Sequence, residues 1–175
     1  MDQILSGIAA IMDDLRSKKR HANSVILIPA INVSKKYKEL PEVLPDEWSM
    51  FYSFVVALTD PPVNAVVVLA AGNEGEGSER VDTFPPLMGE FTDRVVVVGA
   101  TTPRGVRAAT SQALPRGVGN MVWAVGEVVC AGTGSTLERR DEQGTSFAAA
   151  SVCHGEICRG SYSFFQAHKI QLGIA

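Results

Sequence analysis

The sequence predicts an α/β fold in which helices alternate with the strands of a mostly parallel sheet. Two observations carry this prediction. Continuous runs of β-branched and other apolar residues at 66–69 and 95–98 are typical of strands buried on both faces in a parallel sheet. Segments with helical spacing or composition occur at 4–15, at 48–58 and from 144 onward. At 175 residues, the chain is long enough for one domain with its own core.

The first half of the chain predicts a helix, a strand and a second helix. The segment 24–31 is apolar and β-branched, which predicts a buried strand, and Pro29 inside it indicates an edge or a bulge. The polar, proline-containing segment 35–48 predicts a loop, and the helix over 48–58 ends at Asp60-Pro61-Pro62. In the first helix, apolar residues recur at helical spacing after Asp2 as N-cap: Ile4, Leu5, Ile8, Ile11, Met12 and Leu15.

The second half predicts two shorter strands and a final helix. Val122 to Ala124 and Val128-Val129 are the strand candidates, and a helix begins at Gly144. Ligands of parallel sheets bind beyond the carboxyl ends of the strands. Asn73 and the segment after Val98 are therefore expected at the ligand-binding edge.

Composition and charge disfavour several classes of partner. The chain is 46% hydrophobic and 20% charged, an ordinary globular balance, and its net charge is −3. That charge gives no reason to expect a nucleic acid partner, and the short basic run at 16–20 is typical of a solvated helix end. No run reaches the roughly 18 apolar residues of a membrane span, and the N-terminus lacks the basic region of a signal peptide. We therefore expect neither a nucleic acid nor a membrane partner, and the sequence gives no cellular location.

Two segments carry residues suited to acyl transfer. In Gly144-Thr145-Ser146, followed by helix formers, the serine would lie at the first turn of a buried helix, where unpaired N–H groups favour a developing anion. The strand at 66–70 continues into Ala71-Gly72-Asn73-Glu74-Gly75, and the amide of Asn73 can donate a hydrogen bond to an oxyanion. Taken alone, such a serine is more often a helix cap, and Gly-Asn-Glu-Gly is simply a good turn.

Together these two segments resemble the subtilisin-like serine peptidases, or subtilases. The resemblance covers roughly residues 8–153. It implies a three-layer sandwich with a partial subtilisin-like fold, a partial catalytic domain over 1–153 and a divergent C-terminal tail over 154–175. Further pieces match in the same chain order: Ile31-Asn32-Val33-Ser34, Phe84-Pro85-Pro86, Val95 to Thr101, Ala109-Thr110-Ser111 and Val122 to Gly126.

The resemblance implies a serine endopeptidase that hydrolyses peptide bonds through an acyl-enzyme. Ser146 would be the nucleophile, Asn73 the oxyanion-hole donor, and Ala71, Gly72 and Gly75 substrate-binding residues. The substrate would be a peptide or a protein, and no cofactor or metal takes part in the chemistry. The aspartate and histidine of the family's triad lie upstream of every segment matched here, so the resemblance implies the C-terminal half of a catalytic domain, incomplete or inactive by itself.

No histidine of the chain is expected to replace the missing base. His154 follows Ser146 by eight residues, which is about 12 Å along a helix axis and beyond hydrogen-bond reach. His21 is expected on the surface after the first helix, and His168 lies in the tail. Asp141 can lie near Ser146, but a carboxylate alone would be an unusual base for acyl transfer.

The cysteines predict neither a disulfide framework nor a metal site. Cys130, Cys153 and Cys158 are odd in number and widely spread. Cys153, His154 and Cys158 lack a fourth ligand, so we expect no metal to be bound there.

Departures from the family pattern keep an alternative function open. Charges and glycines at 153–160 predict that the last helix ends early, Lys35-Lys36 replaces the groove glycines, and Val125 replaces a proline. The alternative is a catalytically dead pseudoprotease kept for binding a peptide or a partner, with self-association through exposed apolar faces. A nucleotide-binding domain is a weaker hypothesis, because the glycines at 72, 75 and 77 do not fit G-x-G-x-x-G.

Overall fold

A computed structural model describes the chain over residues 2–17, 24–29, 46–131 and 139–159. Helices alternate with strands as far as residue 101, and four of the strands form a parallel sheet, which confirms the predicted fold class. The helices are α1 (Asp2–Ser17), α2 (Asp46–Thr59), a 3-10 helix (Pro86–Glu90) and α3 (Thr145–Arg159). The strands are β1 (Val25–Ile28), β2 (Val66–Ala70), β3 (Val95–Thr101), β4 (Asn120–Val125), β5 (Glu127–Ala131) and β6 (Arg139–Gln143).

Four of the strands form one parallel sheet in the order β1-β2-β3-β4. All of β3 and all of β2 except Ala70 are buried, as their continuous apolar sequences predicted. Because the strands are parallel, their carboxyl ends lie along one edge of the sheet. Strands β5 and β6 form a separate antiparallel ribbon.

Helices cover both faces of the sheet, so the predicted three layers are present. Successive side chains of a strand point to opposite faces. Val67 and Leu69 of β2 belong to one apolar cluster, which also contains residues of α1, α2 and the 3-10 helix. Val66 and Val68 belong to a second cluster with Ala148 and Ala149 of α3. Helix α3 is therefore packed on the opposite face from α1 and α2.

Aromatic rings anchor α2 on its face of the sheet. Trp48 stacks on Phe84 and meets Phe51 edge to face, with ring centroids 5.6 Å apart in both pairs. All three side chains are at most 2% exposed. Burying rings of this size dominates core energetics, so these contacts fix the helix to the segment that follows β2.

Several elements differ from the sequence predictions. Strand β6 was not predicted, because its sequence Arg-Arg-Asp-Glu-Gln has no apolar residue; main-chain pairing with β5 makes it a strand. Helix α3 continues to Arg159 and does not end early; the side chain of His154 is exposed, so it is not forced into an apolar layer. Helix α2 begins at Asp46, within the predicted loop, and the rest of that loop lies outside the described residues, as do Ile31 to Ser34.

Pro29 was expected at a strand edge or a bulge. It lies exposed directly after β1, which pairs only with β2 among the described residues. In the described part of the chain, no helix is long and apolar enough to cross a membrane.

Candidate active site

Ser146 and Asn73 come together where the carboxyl end of β2 meets the start of α3. Ser146 is the second residue of α3, and Asn73 follows the end of β2 by three residues. The Asn73 Nδ2 and the Ser146 Oγ lie 3.3 and 3.5 Å from the point that a Cβ on Gly144 would occupy. A glycine at 144 therefore keeps open the small space that the amide and the hydroxyl share.

The orientation of the Asn73 amide is set by Thr145. The Asn73 Oδ1 accepts hydrogen bonds from the Thr145 N–H at 2.8 Å and from the Thr145 Oγ1 at 3.0 Å. A backbone N–H can only donate, so the oxygen of the amide must face Thr145. The Nδ2 and the Oδ1 lie 3.3 and 3.6 Å from the Cβ position of Gly144, and none of the described residues accepts a hydrogen bond from the Nδ2.

Thr145 also holds the residue that precedes the asparagine. Its Oγ1 accepts a hydrogen bond from the Gly72 N–H at 3.1 Å, and its side chain is 1% exposed. The sequence motif contained Thr145, but only the structure shows that this hydroxyl bridges two consecutive residues of the loop after β2. The sequence feature that could have indicated this bridging role is the second hydroxyl residue, directly before Ser146.

Three residues of that loop were predicted to bind substrate, and all three lie against other parts of the chain. Ala71 is fully buried, and its N–H donates to the Val98 oxygen at 2.9 Å. Gly72 has a φ of +109°, and a Cβ there would meet the side-chain oxygen of Gln112. Gly75 is buried, and its N–H donates to the Thr110 oxygen at 2.8 Å. Any contact that they make with a substrate would therefore use main-chain atoms.

The start of α3 adds an electrostatic contribution to the site. The first N–H groups of a helix have no intrahelical acceptor, and the helix dipole makes this end positive. No acidic residue lies in the first turn of α3 to offset that potential. With the Asn73 amide beside it, the arrangement can stabilise an anion next to the Ser146 hydroxyl.

The described residues provide no base for Ser146. No hydrogen bond joins its hydroxyl to a histidine or a carboxylate within them. His154 is exposed on the same helix, about 12 Å farther along the axis. Asp141 is exposed in β6, while His21 and His168 lie outside the described residues. No group of three histidine, cysteine or acidic side chains suited to a metal occurs in the described part.

Comparisons with known proteins identify the fold. No protein-family model matches the chain, and no curated protein matches it in sequence. Among solved structures, the patellamide maturation protease PatG is 17% identical with a TM-score of 0.56, over 88% of this chain and 40% of that one. The self-cleaved protease domain of PatA is 20% identical with a TM-score of 0.55, over 90% of this chain and 53% of that one.

A third structure, the PatG macrocyclase in complex with peptide, is 18% identical with a TM-score of 0.52, over 85% of this chain and 38% of that one. The chain thus spans between 38% and 53% of the length of these structures. At such identities the likeness concerns architecture. The chain has the subtilisin-like α/β fold that its sequence motifs predicted.

Proposed function

We propose that this chain carries the nucleophile and the oxyanion donor of a subtilisin-like serine endopeptidase. One observation supports this most directly: the Asn73 Nδ2 and the Ser146 Oγ flank the same point above Gly144, at 3.3 and 3.5 Å. A carbonyl carbon attacked by the hydroxyl would place its oxygen near the amide. Serine attack and oxyanion binding are the two requirements of acyl transfer that side chains of this site meet.

In the proposed reaction, the Ser146 Oγ attacks the carbonyl carbon of a peptide bond while its proton passes to a general base. The oxygen of the tetrahedral intermediate accepts hydrogen bonds from the Asn73 amide and from an N–H at the start of α3. The carbon–nitrogen bond then breaks, the amine leaves with the proton from the base, and an acyl-enzyme remains. Water releases the acid by the same steps. In the family's mechanism that base is a histidine, which the described residues do not supply and which none of the three histidines of this chain is expected to replace.

The substrate in this proposal is a peptide or a protein segment, which would contact main-chain atoms of Ala71, Gly72 and Gly75. A solved structure of similar fold, the PatG macrocyclase, is in complex with peptide, which supports this substrate class. In the same proposal, residues 1–153 form the catalytic part and 154–175 a divergent tail, a boundary that α3 crosses. Self-association through exposed apolar faces stays a prediction.

Labelling with a fluorophosphonate serine-hydrolase probe tests the proposal. The purified 175-residue chain is treated with the probe beside Ser146→Ala and Asn73→Ala, and circular dichroism verifies that all three are folded. Labelling that is lost in Ser146→Ala would mean that Ser146 is activated and that a base completes the site. In Asn73→Ala we expect it to be slower by about a hundred- to a thousandfold, which is the known cost of removing such a donor in subtilisin.

The controls are residues that lie near Ser146 in sequence but have no role in this reaction. His154→Ala and Asp141→Asn should label at the rate of the unchanged chain. A folded chain that does not label would contradict an autonomous peptidase and favour the alternative, a module that binds peptides without cleaving them. Labelling that survives Ser146→Ala would exclude Ser146 as the nucleophile.

A further inference from the structure

Gln112 is buried to a degree that is unusual for a glutamine. Its side chain is 2% exposed, although a buried amide is costly unless its polar atoms are hydrogen-bonded. Five polar side chains are buried in the described part of the chain, and three of them, Ser111, Gln112 and Thr145, surround the loop that begins at Gly72. Polar burial is thus concentrated at this edge of the sheet.

The hydrogen bonds of Gln112 join the loop after β2 to a segment farther along the chain. Its Nε2 donates to the Arg80 oxygen and to the Asp82 Oδ1, both at 2.9 Å. Its backbone N–H donates to the Gly72 oxygen at 3.0 Å. Both N–H groups of the side-chain amide are therefore used within the protein, and the main chain of Gln112 is bonded directly to Gly72.

The backbone of Gln112 is itself fixed to the sheet through Ser111. The Ser111 hydroxyl accepts a hydrogen bond from the Ala100 N–H at 2.9 Å and donates to the Gln112 oxygen at 3.1 Å. Ala100 belongs to β3, a fully buried strand. Gln112 therefore extends from a rigid base toward the loop.

A continuous series of hydrogen bonds leads from Gln112 to the amide of Asn73. The Gln112 backbone N–H donates to the Gly72 oxygen, the Gly72 N–H donates to the Thr145 Oγ1 at 3.1 Å, and Thr145 donates to the Asn73 Oδ1 through two groups. The Gln112 side chain is not a link in this series and acts on it by placing its Oε1 against Gly72. Hydrogen-bonded series of this kind are worth more together than as separate pairs.

Steric contact reinforces the hydrogen bonds. The Gln112 Oε1 occupies the space into which a side chain at Gly72 would project. Gly72 has a φ of +109°, which favours glycine, so the loop bends there against the glutamine. The glutamine thereby limits how far Gly72 can move toward it.

From these contacts we propose that Gln112 is a positioning residue that holds the Asn73 amide in its oxyanion-binding orientation, acting through Gly72 and Thr145. The proposal rests on the proposed function, because it assigns the amide a transition-state role. Gln112 itself touches neither Ser146 nor the space above Gly144. Its effect on the reaction is exerted entirely through the loop.

The test compares Gln112→Met with Leu114→Val. Gln112→Met keeps the approximate volume and the backbone N–H, but removes the Oε1 that lies against Gly72 and the donors that bond to Arg80 and Asp82. Leu114 lies two residues away in the same segment, is 6% exposed and packs in the apolar cluster of α2, so its truncation loosens the core without touching Gly72. The first readout is hydrogen exchange of the Gly72 and Thr145 amides in the full chain. In Gln112→Met we expect exchange at these two amides to be about tenfold faster than in the unchanged chain. In Leu114→Val we expect the ratio of their exchange rates to those of the β3 amides to be unchanged.

The second readout is the NMR signal of the Asn73 side-chain amide. In the unchanged chain and in Leu114→Val we expect the two Nδ2–H resonances to be displaced from the chemical shifts of an unstructured asparagine, and in Gln112→Met we expect both to move toward those shifts. This readout needs no catalysis. If the unchanged chain is not labelled by the fluorophosphonate, it is not an autonomous peptidase, while exchange and the amide spectrum still decide the positioning role.

A third readout applies when the chain is labelled. Gln112→Met should slow labelling at Ser146 by about tenfold in the normal background and should have no further effect in an Asn73→Ala background, because Gln112 acts on the reaction only through the Asn73 amide. Equal slowing in both backgrounds would overturn the proposal. The proposal would also be overturned if hydrogen exchange in Gln112→Met became faster at Val96 to Val98 by as much as at Gly72, because that pattern indicates a general loss of stability.

Discussion

The α2 face of strand β2 and the loop beyond the carboxyl end of that strand are stabilised by different kinds of interaction. On its α2 face, large apolar side chains pack against one another, as Trp48 does with Phe51 and Phe84. Beyond its carboxyl end, the chain relies on glycines and on hydrogen bonds between residues far apart in sequence, such as Thr145 and Asn73. The comparison teaches that the fold and the site can be disturbed separately.

Trp48→Ala should have the largest effect on stability and the smallest on the geometry of the site. Removing a buried aromatic ring costs about 3–5 kcal/mol of unfolding free energy. Urea denaturation followed by circular dichroism measures this loss. In the fraction that stays folded, hydrogen exchange at Thr145 should match that of the unchanged chain. Selective loss of protection at Thr145 would show that the α2 face and the site are coupled.

Gly75→Ala should have an intermediate effect and should act on the site directly. A Cβ at this position would lie 2.5 Å from the Ser111 oxygen and 2.6 Å from the Ala109 oxygen, so main chain must move. We expect a loss of about 1–3 kcal/mol together with faster exchange at Gly72.

Gly77→Ala is the matched control in the same turn. A Cβ there has ordinary contact at 3.7 Å, and its φ is not in the left-handed region. Alanine restricts the unfolded chain, so denaturation should show no loss or a gain of about 0.4–1 kcal/mol. A similar loss in both variants would mean that close backbone approach at Gly75 is not what matters.

Thr145→Val should destabilise the protein less than Trp48→Ala does, and its structural effect should be confined to the site. It leaves the Gly72 N–H without its acceptor and removes one donor from Asn73, a cost of about 1–3 kcal/mol. Thr59→Val is the control, since Thr59 is equally buried but its hydroxyl donates to the Val56 oxygen, which also accepts from the Asp60 N–H.

Both variants are compared by denaturation and by hydrogen exchange at Gly72. Only Thr145→Val should accelerate that exchange, and Thr59→Val should show the smaller loss of stability. Equal losses without a change at Gly72 would contradict the bridging role of the Thr145 hydroxyl.

The fold could be predicted because a strand buried on both faces has a continuous apolar sequence. The valine runs of β2 and β3 have that pattern, and both strands lie where they were expected. Strand β6 has no apolar residue, and it is a strand because its main chain pairs with β5. The extent of α3 was misjudged because an exposed His154 is compatible with a helix that has one buried side.

The site could be predicted only in part, for a related reason. Ser146 and Asn73 belong to short motifs whose order in the chain indicated a common site. Gln112 and the bridging role of Thr145 depend on partners 30 to 73 positions away, which no local pattern specifies. Such a network can be recognised only once the fold shows which distant residues lie next to each other.

The ribbon of β5 and β6 leaves and re-enters the molecule at one place. The Gly126 N–H donates to the Thr101 oxygen at 3.0 Å, and the Gly144 N–H donates to the Gly126 oxygen at 2.9 Å. The hydrogen bond between Gly126 and Gly144 thus holds the two ends of segment 127–143 together, two residues before Ser146 in the chain. Segment 127–143 could therefore be exchanged for a different hairpin, or carry an inserted binding loop. The hydrogen bond between Gly126 and Gly144 would remain and would keep Ser146 in the same position.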